Sequence, residues 1–312
     1  MRRLLARHEV ILLAILIVAL IGLGRANDQF LTLDNLLNQG RLMTEIGLIA
    51  LPMTFVIITG GIDLSVGAIV GLCAILLGYG WKTFGLPLPL AIAFSLCVGA
   101  LAGFLNGLVI TRLKAPPLIV TIASLAFYRG LAEGISKARS VRGYPDWFYT
   151  LGQGEWLGVP AQLWILGVAI VLFGVALDRT AFGRTLYAIG ANETAARFSA
   201  LPVDRTKLIV YTLSGLMSGV SAFVLVSRVT TTRSDMGLGY ELDVVAAVVL
   251  GGASIFGGSG TVWGTVIGLV MIQLLKNGLA LTGVKGDATI MVIGVVLIAS
   301  VLIASSLERR RE

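Results

Sequence analysis

Charged residues are scarce in this sequence. Of its 312 residues, 13% are Asp, Glu, Lys or Arg and 56% are hydrophobic. Soluble domains carry roughly 25% charged residues, so this chain has too few to cover a soluble globule of its length. We therefore predict an all-α polytopic membrane protein, with residues 1–312 forming a single membrane-embedded domain.

Histidine and cysteine are nearly absent, which excludes several kinds of site. His8 is the one histidine, and the two cysteines, Cys73 and Cys97, lie in separate apolar runs. A metal centre needs several such ligands together, so no metal site is expected. Spanning segments rarely carry disulfides, so both cysteines should be free. The sequence also lacks a GxxxxGK[ST] motif, so this chain is not expected to hold ATP phosphates in a P-loop.

Glycine, by contrast, is abundant, with 39 residues. Small residues recur four apart in GALAGFLNG (99–107), GLMSG (215–219) and GSGTVWGTVIG (258–268). This spacing places them on one face of a helix, where small residues let two backbones approach closely. The triplets 99/103/107 and 260/264/268 therefore predict tightly packed helices.

The apolar runs indicate about ten transmembrane helices. They lie near 10–24, 46–59, 66–80, 88–111, 118–135, 161–177, 208–227, 242–256, 261–282 and 288–306. Lys and Arg are denser on the side that holds the N-terminus and the 178–207 segment, which predicts an N-in, C-in topology. Residues 178–207 are too polar to span and are expected to form a cytoplasmic loop.

An aspartate interrupts the apolar sequence in TGGIDLSVG (59–67). Gly60, Gly61, Asp63 and Ser65 are expected to form a tight structural turn with a solvated aspartate near the cytoplasmic side. Whether this break and the one at 257–260 are surface turns or interruptions within the membrane stays open.

Two other functions use membrane aspartates. Asp63 is the one plausible midplane carboxylate for an ion-coupled secondary transporter, a class that also uses broken helices. An intramembrane aspartyl protease would pair Asp63 with Asp243, although GGID does not match the GxGD element of such enzymes.

A short helix is predicted within the polar segment, at GANETAARFSALP (190–202). Asn192 is a favourable N-cap, and Pro202 ends the helix. Its small face would fit a shallow groove on a partner protein, and nearby arginines could reach acidic groups around that groove. The small face comprises Ala191, Ala195, Ala196 and Ser199, and the arginines are Arg184, Arg197 and Arg205. A basic loop lying on anionic lipid headgroups is the alternative.

Several stretches resemble one family of transporters. FGRTLYAIGANETAARFSALPVDRTK is similar to the coupling-helix region of bacterial ABC-importer permeases for sugars, of the ribose, xylose and autoinducer-2 class. TGGIDLSVGAIVGLCAILLG, NGLVITRLKAPPLIVTIASLAFYRG and VVLGGASIFGGSGTVWGTVIG resemble further stretches of that family in the same order. KARSVRGYPDWF and RSDMGLGYEL look most like autoinducer-2 and rhamnose-type permeases.

The resemblance implies a permease subunit of an ATP-driven importer in the bacterial cytoplasmic (inner) membrane. Such a subunit has no catalytic residue and no cofactor; separate ATPase subunits bind ATP and Mg. A periplasmic binding protein delivers the sugar, and a second permease chain, identical or different, completes a dimer; no nucleic acid is involved. The resemblance places Gly190, Asn192, Ala195, Ala196, Arg197 and Ser199 in the coupling helix, and Arg184 joins them as a candidate residue for ATPase docking.

A sugar path needs polar side chains within the bundle. Asn106, Gln273, Asn277 and Thr59 are the candidates. Such residues also bridge helices, and an apolar channel could leave selectivity to the binding protein. The aromatic residues of DWFYTLGQGEW (146–156) are expected to anchor at the membrane interface, or to contact the binding protein, or to form a short helix.

Overall fold

The computed structural model describes residues 27–284 without a gap, together with residues 16–18, 20–25, 288, 291–292 and 294–295. About half of the predicted first span, 10–24, and most of the predicted last span, 288–306, lie outside these residues. The helices are α1 (Leu33–Ile58), α2 (Val66–Lys82), α3 (Leu88–Arg112), α4 (Pro117–Ser136), α5 (Asp146–Gln153), α6 (Ala161–Arg179), α7 (Ala181–Ala191), α8 (Glu193–Phe198), α9 (Val203–Val229), α10 (Tyr240–Leu250) and α11 (Val262–Leu281). Four two-residue strands are β1 (Val141–Arg142), β2 (Glu155–Trp156), β3 (Val159–Pro160) and β4 (Thr231–Thr232).

Six of the described helices are long and apolar enough to cross a membrane: α1, α3, α4, α6, α9 and α11. They confirm a polytopic helical membrane protein. The predicted span 46–59 is too short, because α1 begins at Leu33, where the Thr32 hydroxyl caps it. The spans predicted at 66–80 and 242–256 correspond to α2, of 17 residues, and α10, of 11 residues. Both fall short of the ~20 residues that a full crossing needs.

Backbone contact between α3 and α9 forms the centre of the bundle. A Cβ atom placed on Gly103 would lie 2.1 Å from the carbonyl oxygen of Tyr211, and one on Gly215 would lie 2.2 Å from that of Gly99. Side chains larger than hydrogen would therefore separate the two helices. This contact confirms the tight packing predicted from the 99/103/107 triplet.

The second glycine triplet packs α11 against α10. A Cβ atom on Gly264 would lie 2.1 Å from the carbonyl oxygen of Gly251, and one on Gly268 would lie 2.1 Å from that of Ala247. Gly260 precedes α11 and belongs to the preceding loop. The prediction therefore holds for two members of this triplet.

The two ends of α9 define the two ends of the bundle. Its 27 residues span about 40 Å at 1.5 Å per residue. One end directly follows α8 and is called the α8 end. At the other, the α5 end, the Ser227 hydroxyl donates to the carbonyl of Phe148, and Gln153 Nε2 donates to the carbonyl of Arg228 at 2.8 Å.

The segment between α9 and α10 re-enters the bundle. Thr232 pairs with Val141 at the α5 end and lies against Gly78 of α2. Five residues later, Gly237 lies against Gly67, which is eleven residues nearer to the N-terminus of α2 than Gly78 is. Eleven helical residues correspond to about 16 Å, so residues 232–237 descend through about half of the membrane. The helix α10 then covers the remaining half.

Arg129 of α4 binds the backbone of this re-entrant segment. Its guanidinium donates to the carbonyl oxygens of Ser234 and Met236, and to that of Gly67 in α2. Irregular backbone at membrane depth is tolerated where protein groups satisfy its polar atoms. The guanidinium provides such bonds, and its charge is spread over three carbonyl dipoles.

The aromatic residues of 146–156 belong to a small cap at the α5 end. α5 forms there, as the short-helix alternative predicted, and Phe148 is fully buried with Tyr144 stacked on it at 4.7 Å between ring centroids. Trp147 and Trp156 remain about half exposed. The exposed rings are therefore available at this surface while Phe148 fixes the cap to the bundle.

We predict that Gly103→Ala destabilises the bundle because the methyl group would contact the carbonyl of Tyr211. Relief of that overlap should cost about 1–3 kcal/mol, which corresponds to a thermal midpoint lower by several degrees in detergent. Gly167→Ala on α6 is the matched control, because nothing lies within 4 Å of its Cβ position. Equal midpoints for the two variants would contradict the packing described here.

Candidate coupling surface and membrane-embedded polar network

A helical hairpin of α7 and α8 covers the α8 end. The Asn192 side chain accepts a hydrogen bond from the backbone nitrogen of Ala195 at 2.9 Å, which confirms it as the N-cap of α8. The helix stops at Phe198, and the backbone nitrogen of Leu201 donates back to the carbonyl of Ala196 at 3.1 Å. The predicted short helix is therefore present, with six residues.

The inward face of α8 differs from the prediction. Ala196 is buried against Ile189 of α7 and Val203 of α9, so it does not belong to a face that a partner could contact. A bulky residue at position 196 would displace α8 from the bundle. The proposal that Ala196 docks in a partner's groove is therefore wrong for this residue.

Ion pairs fix α8 to the first turns of α9. Glu193 accepts from Lys207 Nζ at 2.5 Å and from Arg197 Nη2 at 2.8 Å, and Arg197 also donates to Asp204 at 2.5 Å. Burial alone would raise the pKa of Glu193, but the bonds from Lys207 and Arg197 outweigh it, so the pKa is lowered. Glu193 is thus charged at neutral pH, and Arg197 is engaged within its own chain.

The remaining predicted coupling residues occupy two environments. Arg184, Asn192, Ala195 and Ser199 are exposed. Gly190 lies where three segments meet: a Cβ atom there would lie 1.8 Å from the carbonyl oxygen of Ile58 and 2.3 Å from the nitrogen of Gly258. Gly190 therefore holds α7 against the end of α1 and the 251–261 loop, whereas the exposed residues remain accessible.

Two phenylalanines that the sequence analysis did not single out are prominent at the α8 end. Phe198, the last residue of α8, is 87% exposed, and Phe256 is 83% exposed. Phe256 lies in the loop whose Gly258 contacts Gly190 and Ala191. Exposed aromatic side chains of this kind are typical anchors of protein interfaces. The sequence did carry a signal for Phe198, because a large apolar residue at the end of a short polar helix indicates a contact surface.

The turn at 59–65 also differs from the prediction. It starts at the α8 end, where Gly60 adopts φ +77°, and then returns into the bundle. Asp63 is fully buried and accepts hydrogen bonds from Ser65 N at 3.0 Å, Ser65 Oγ at 2.6 Å and Ser214 Oγ at 2.9 Å. The expectation of a solvated aspartate is therefore wrong; its carboxylate is satisfied by donors from two segments.

Asn106 connects this carboxylate to α4. Its Nδ2 donates to Ser65 Oγ at 2.8 Å, while its Oδ1 accepts from Ser124 Oγ at 2.6 Å and from the Tyr128 hydroxyl at 3.3 Å. The amide is buried and uses both of its ends. A continuous chain of hydrogen bonds thus joins the 59–65 break, α3, α4 and α9.

The other predicted path residues have partners within the chain as well. Gln273 Nε2 donates to Gln39 Oε1 at 2.8 Å, and Asn277 exchanges hydrogen bonds with Asn35. The Thr59 hydroxyl donates to the carbonyl of Val56 at 2.8 Å. These bonds bridge or cap helices, and the assignment of the four residues to a solute path stays a prediction.

Asp63 and Asp243 do not form a protease dyad. Asp63 is held by Ser65 and Ser214, whereas Asp243 forms an ion pair with Lys276 of α11 at 2.6 Å. A dyad needs two carboxyl groups that share one proton at close range. The geometry therefore excludes that alternative.

We predict that Asp63→Ala lowers the stability of the chain strongly. It would leave the buried donors of Ser65 and Ser214 without an acceptor, at about 1–3 kcal/mol for each group. The thermal midpoint in detergent should fall by roughly 5 °C or more. Asp34→Ala, which removes an exposed carboxylate, should leave the midpoint nearly unchanged. A fall of the same size in both variants would contradict the structural role of Asp63.

Comparison with known proteins identifies the family. The family described as the branched-chain amino acid transport system permease component matches residues 35–301. The chain is 37% identical over 300 residues to the autoinducer 2 import system permease protein LsrD of Escherichia coli K12, and likewise to LsrD of Escherichia coli O157:H7 and of Shigella flexneri. These matches cover 94% of this chain and 91% of each relative. No solved structure matches the chain significantly.

The family match covers most of the bundle described above, from the third residue of α1 onwards. Its members are transport components rather than catalysts. Together with the six apolar helices, this places the chain in the bacterial cytoplasmic membrane as a multi-pass protein. The chain thus belongs to the branched-chain amino acid transport system permease family, as the permease component of an ABC importer.

Proposed function

We propose that this permease takes up a small sugar-like solute of the autoinducer-2 type. The relatives that are 37% identical are autoinducer 2 import permeases, and the alignments span nearly the whole of both chains. The stretches KARSVRGYPDWF and RSDMGLGYEL support the same subgroup, which includes rhamnose-type permeases. Autoinducer 2, rhamnose and ribose are therefore the solutes to test.

We assign the α8 end to the cytoplasm. The connection between α6 and α9 carries the exposed Arg184, the first turn of α9 carries the exposed Arg205, and basic residues concentrate in cytoplasmic segments. With this assignment both termini are cytoplasmic and 178–207 is the coupling loop. About ten segments cross the membrane when α2 and α10 are each counted together with the irregular segment that precedes them. The cap that contains α5 then faces the periplasm.

An ATPase subunit binds ATP and Mg and docks on the α8 end in this proposal. The observation that carries it is the exposure of Phe198 on a short helix that is itself rigidly held. Ion pairs from Arg197 and Lys207 fix α8, so movement of a partner that grips Phe198 would reach α9. The exposed Arg184, Ala195 and Ser199 complete the surface.

Two further partners follow from the same proposal. A second permease chain, identical or different, completes the transporter. A periplasmic binding protein delivers the solute at the α5 end, where Trp147 and Trp156 are half exposed. The permease family supports the presence of an ATPase and a binding protein.

The ion-coupled carrier is the weaker alternative. It would need a carboxylate that can release or bind a cation, and Asp63 is enclosed by three hydrogen-bond donors. The relatives, moreover, are parts of import systems. The structural role of Asp63 is the better account of its burial.

Purification of the tagged chain from its native membranes in mild detergent tests the proposal. We expect an ATPase subunit at about one per permease chain, and ATP-dependent uptake of autoinducer 2 once the complex and its binding protein are reconstituted. A chain that is purified alone and moves solute in liposomes without ATP would contradict the proposal.

We predict that Phe198→Ser weakens ATPase docking. Loss of a central aromatic anchor costs about 2 kcal/mol or more, which corresponds to roughly 30-fold weaker binding. Co-purified ATPase and uptake should both decrease. Phe84→Ser is the matched control. Phe84 is also exposed, but it follows the C-terminus of α2, which lies at the α5 end of the bundle and not at the α8 end. Equal ATPase recovery in both variants would remove Phe198 from the docking surface.

A further inference from the structure

We propose that Asp243 and Lys276 line the path of the transported solute and hydrogen-bond its hydroxyl groups. This inference rests on the proposed function, since it assumes a polar, sugar-like solute. It assigns the solute contact to an ion pair between α10 and α11, in which Lys276 Nζ lies 2.6 Å from Asp243 Oδ2.

The pair lies below the membrane surface. Lys276 is five residues before the end of α11, which places its backbone about 8 Å from that end. Asp243 is in the first turn of α10, the half-length helix that begins where the re-entrant segment ends. Because α10 starts inside the bundle, the carboxylate of Asp243 in its first turn lies at a depth within the membrane. In a full-length helix that started at the membrane surface, the middle turns would lie at this depth.

The open side of the pair is the key observation. The side chain of Lys276 is 27% exposed and that of Asp243 is 19% exposed, although both belong to helices of the bundle. In the Glu45–Arg228 pair, Arg228 is 25% exposed but the carboxylate of Glu45 is only 1% exposed. The two pairs therefore differ in their carboxylates: that of Asp243 is accessible from outside the chain, whereas that of Glu45 is sealed inside it.

Lipid is an unsuitable neighbour for these charges. A charged side chain facing the hydrocarbon core costs several kcal/mol, and such residues face a protein interior or a water-filled cavity. The exposed face of α6 is entirely different in character, since the apolar side chains of Val168, Val171 and Leu172 cover it. A water-filled path beside the bundle satisfies this requirement, and we place the open side of the ion pair on such a path in the assembled transporter.

The pair has hydrogen-bonding capacity to spare. Its contact uses Asp243 Oδ2 and one of the three hydrogens on Lys276 Nζ, which leaves Oδ1 and further hydrogens for a ligand. A hydroxyl group both donates and accepts, so it can bond to the carboxylate and the ammonium together. The pair carries no net charge, which suits a neutral polyhydroxylated solute that must leave again.

Reversal of the pair distinguishes a solute contact from a structural ion pair. The double variant Asp243→Lys with Lys276→Asp keeps one charge of each sign but exchanges their positions. We expect unchanged amounts in the membrane and unchanged co-purified ATPase, with autoinducer 2 uptake by the complete complex reduced at least about tenfold. Uptake within about twofold of the unmodified complex would overturn the proposal. Gly167→Ala, on the exposed face of α6, is the control for handling of a variant complex.

Cysteine labelling provides a second measurement that does not depend on the reversed pair. Lys276→Cys is made with Cys97→Ala, because Cys97 is exposed whereas Cys73 is buried. In intact cells a cationic thiosulfonate reagent should label position 276, and autoinducer 2 should slow the labelling. Phe127→Cys, on the exposed apolar side of α4, is the unreactive control.

The outcomes separate this inference from the proposed function. Labelling at position 276 no faster than at 127, or labelling that autoinducer 2 does not slow, would overturn the solute contact while leaving ATP-driven uptake by the unmodified complex intact. If the unmodified complex itself takes up no autoinducer 2, rhamnose or ribose, the proposed function fails and the inference fails with it.

Discussion

The carboxylate of Asp63 lies where the chain departs from helical form inside an apolar bundle. Its three hydrogen bonds, the one that Asn106 donates to Ser65 and the two that Asn106 accepts join the break after α1 to α3, α4 and α9. In hydrocarbon, a polar group without a partner costs several kcal/mol, so each interruption of a helix needs such a network. Arg129 supplies the equivalent bonds for the re-entrant segment before α10. The two irregular segments, and with them the half-helix that carries Asp243, depend on these buried polar groups.

Close contact between helix backbones is the second feature on which this fold depends. Gly103 and Gly215 leave no room for a Cβ atom, and neither does Gly190 at the meeting of α7, α1 and the 251–261 loop. Close backbone contact is how membrane helices associate when lipid offers no hydrophobic driving force. Glycine at these positions therefore serves helix packing, and Gly190 ties the α7–α8 hairpin to the same core as the spanning helices.

The sequence predicted much of this architecture because its signals are local. The Asn192 cap, the 99/103/107 packing face and the two glycine-rich breaks follow from spacing alone. The predictions that were wrong depended on how the helices pack against each other, which the sequence pattern does not show. A short helix with alanines on several sides does not reveal that Ala196 faces inward, nor that Phe198 is left exposed.

Sequence patterns also did not predict the depth at which each helix starts within the membrane. An apolar run such as 242–256 reads the same whether it starts at the surface or after a re-entrant segment, so α10 was mistaken for a full span. The burial of Asp63 depends on Ser214, 151 residues away along the chain. Such pairings are set by helix packing, which periodicity does not encode.

The two ends of α9 are attached to segments at opposite ends of the bundle. Ion pairs join Asp204 and Lys207 to α8, while Ser227 and Arg228 bind α5 and the carboxylate of Glu45. A hydrogen-bonded helix resists stretching, and its close packing resists compression, so its two ends keep a nearly fixed separation of about 40 Å. A displacement of α8 at one end of the bundle would therefore be carried along α9 to the segments attached at its other end.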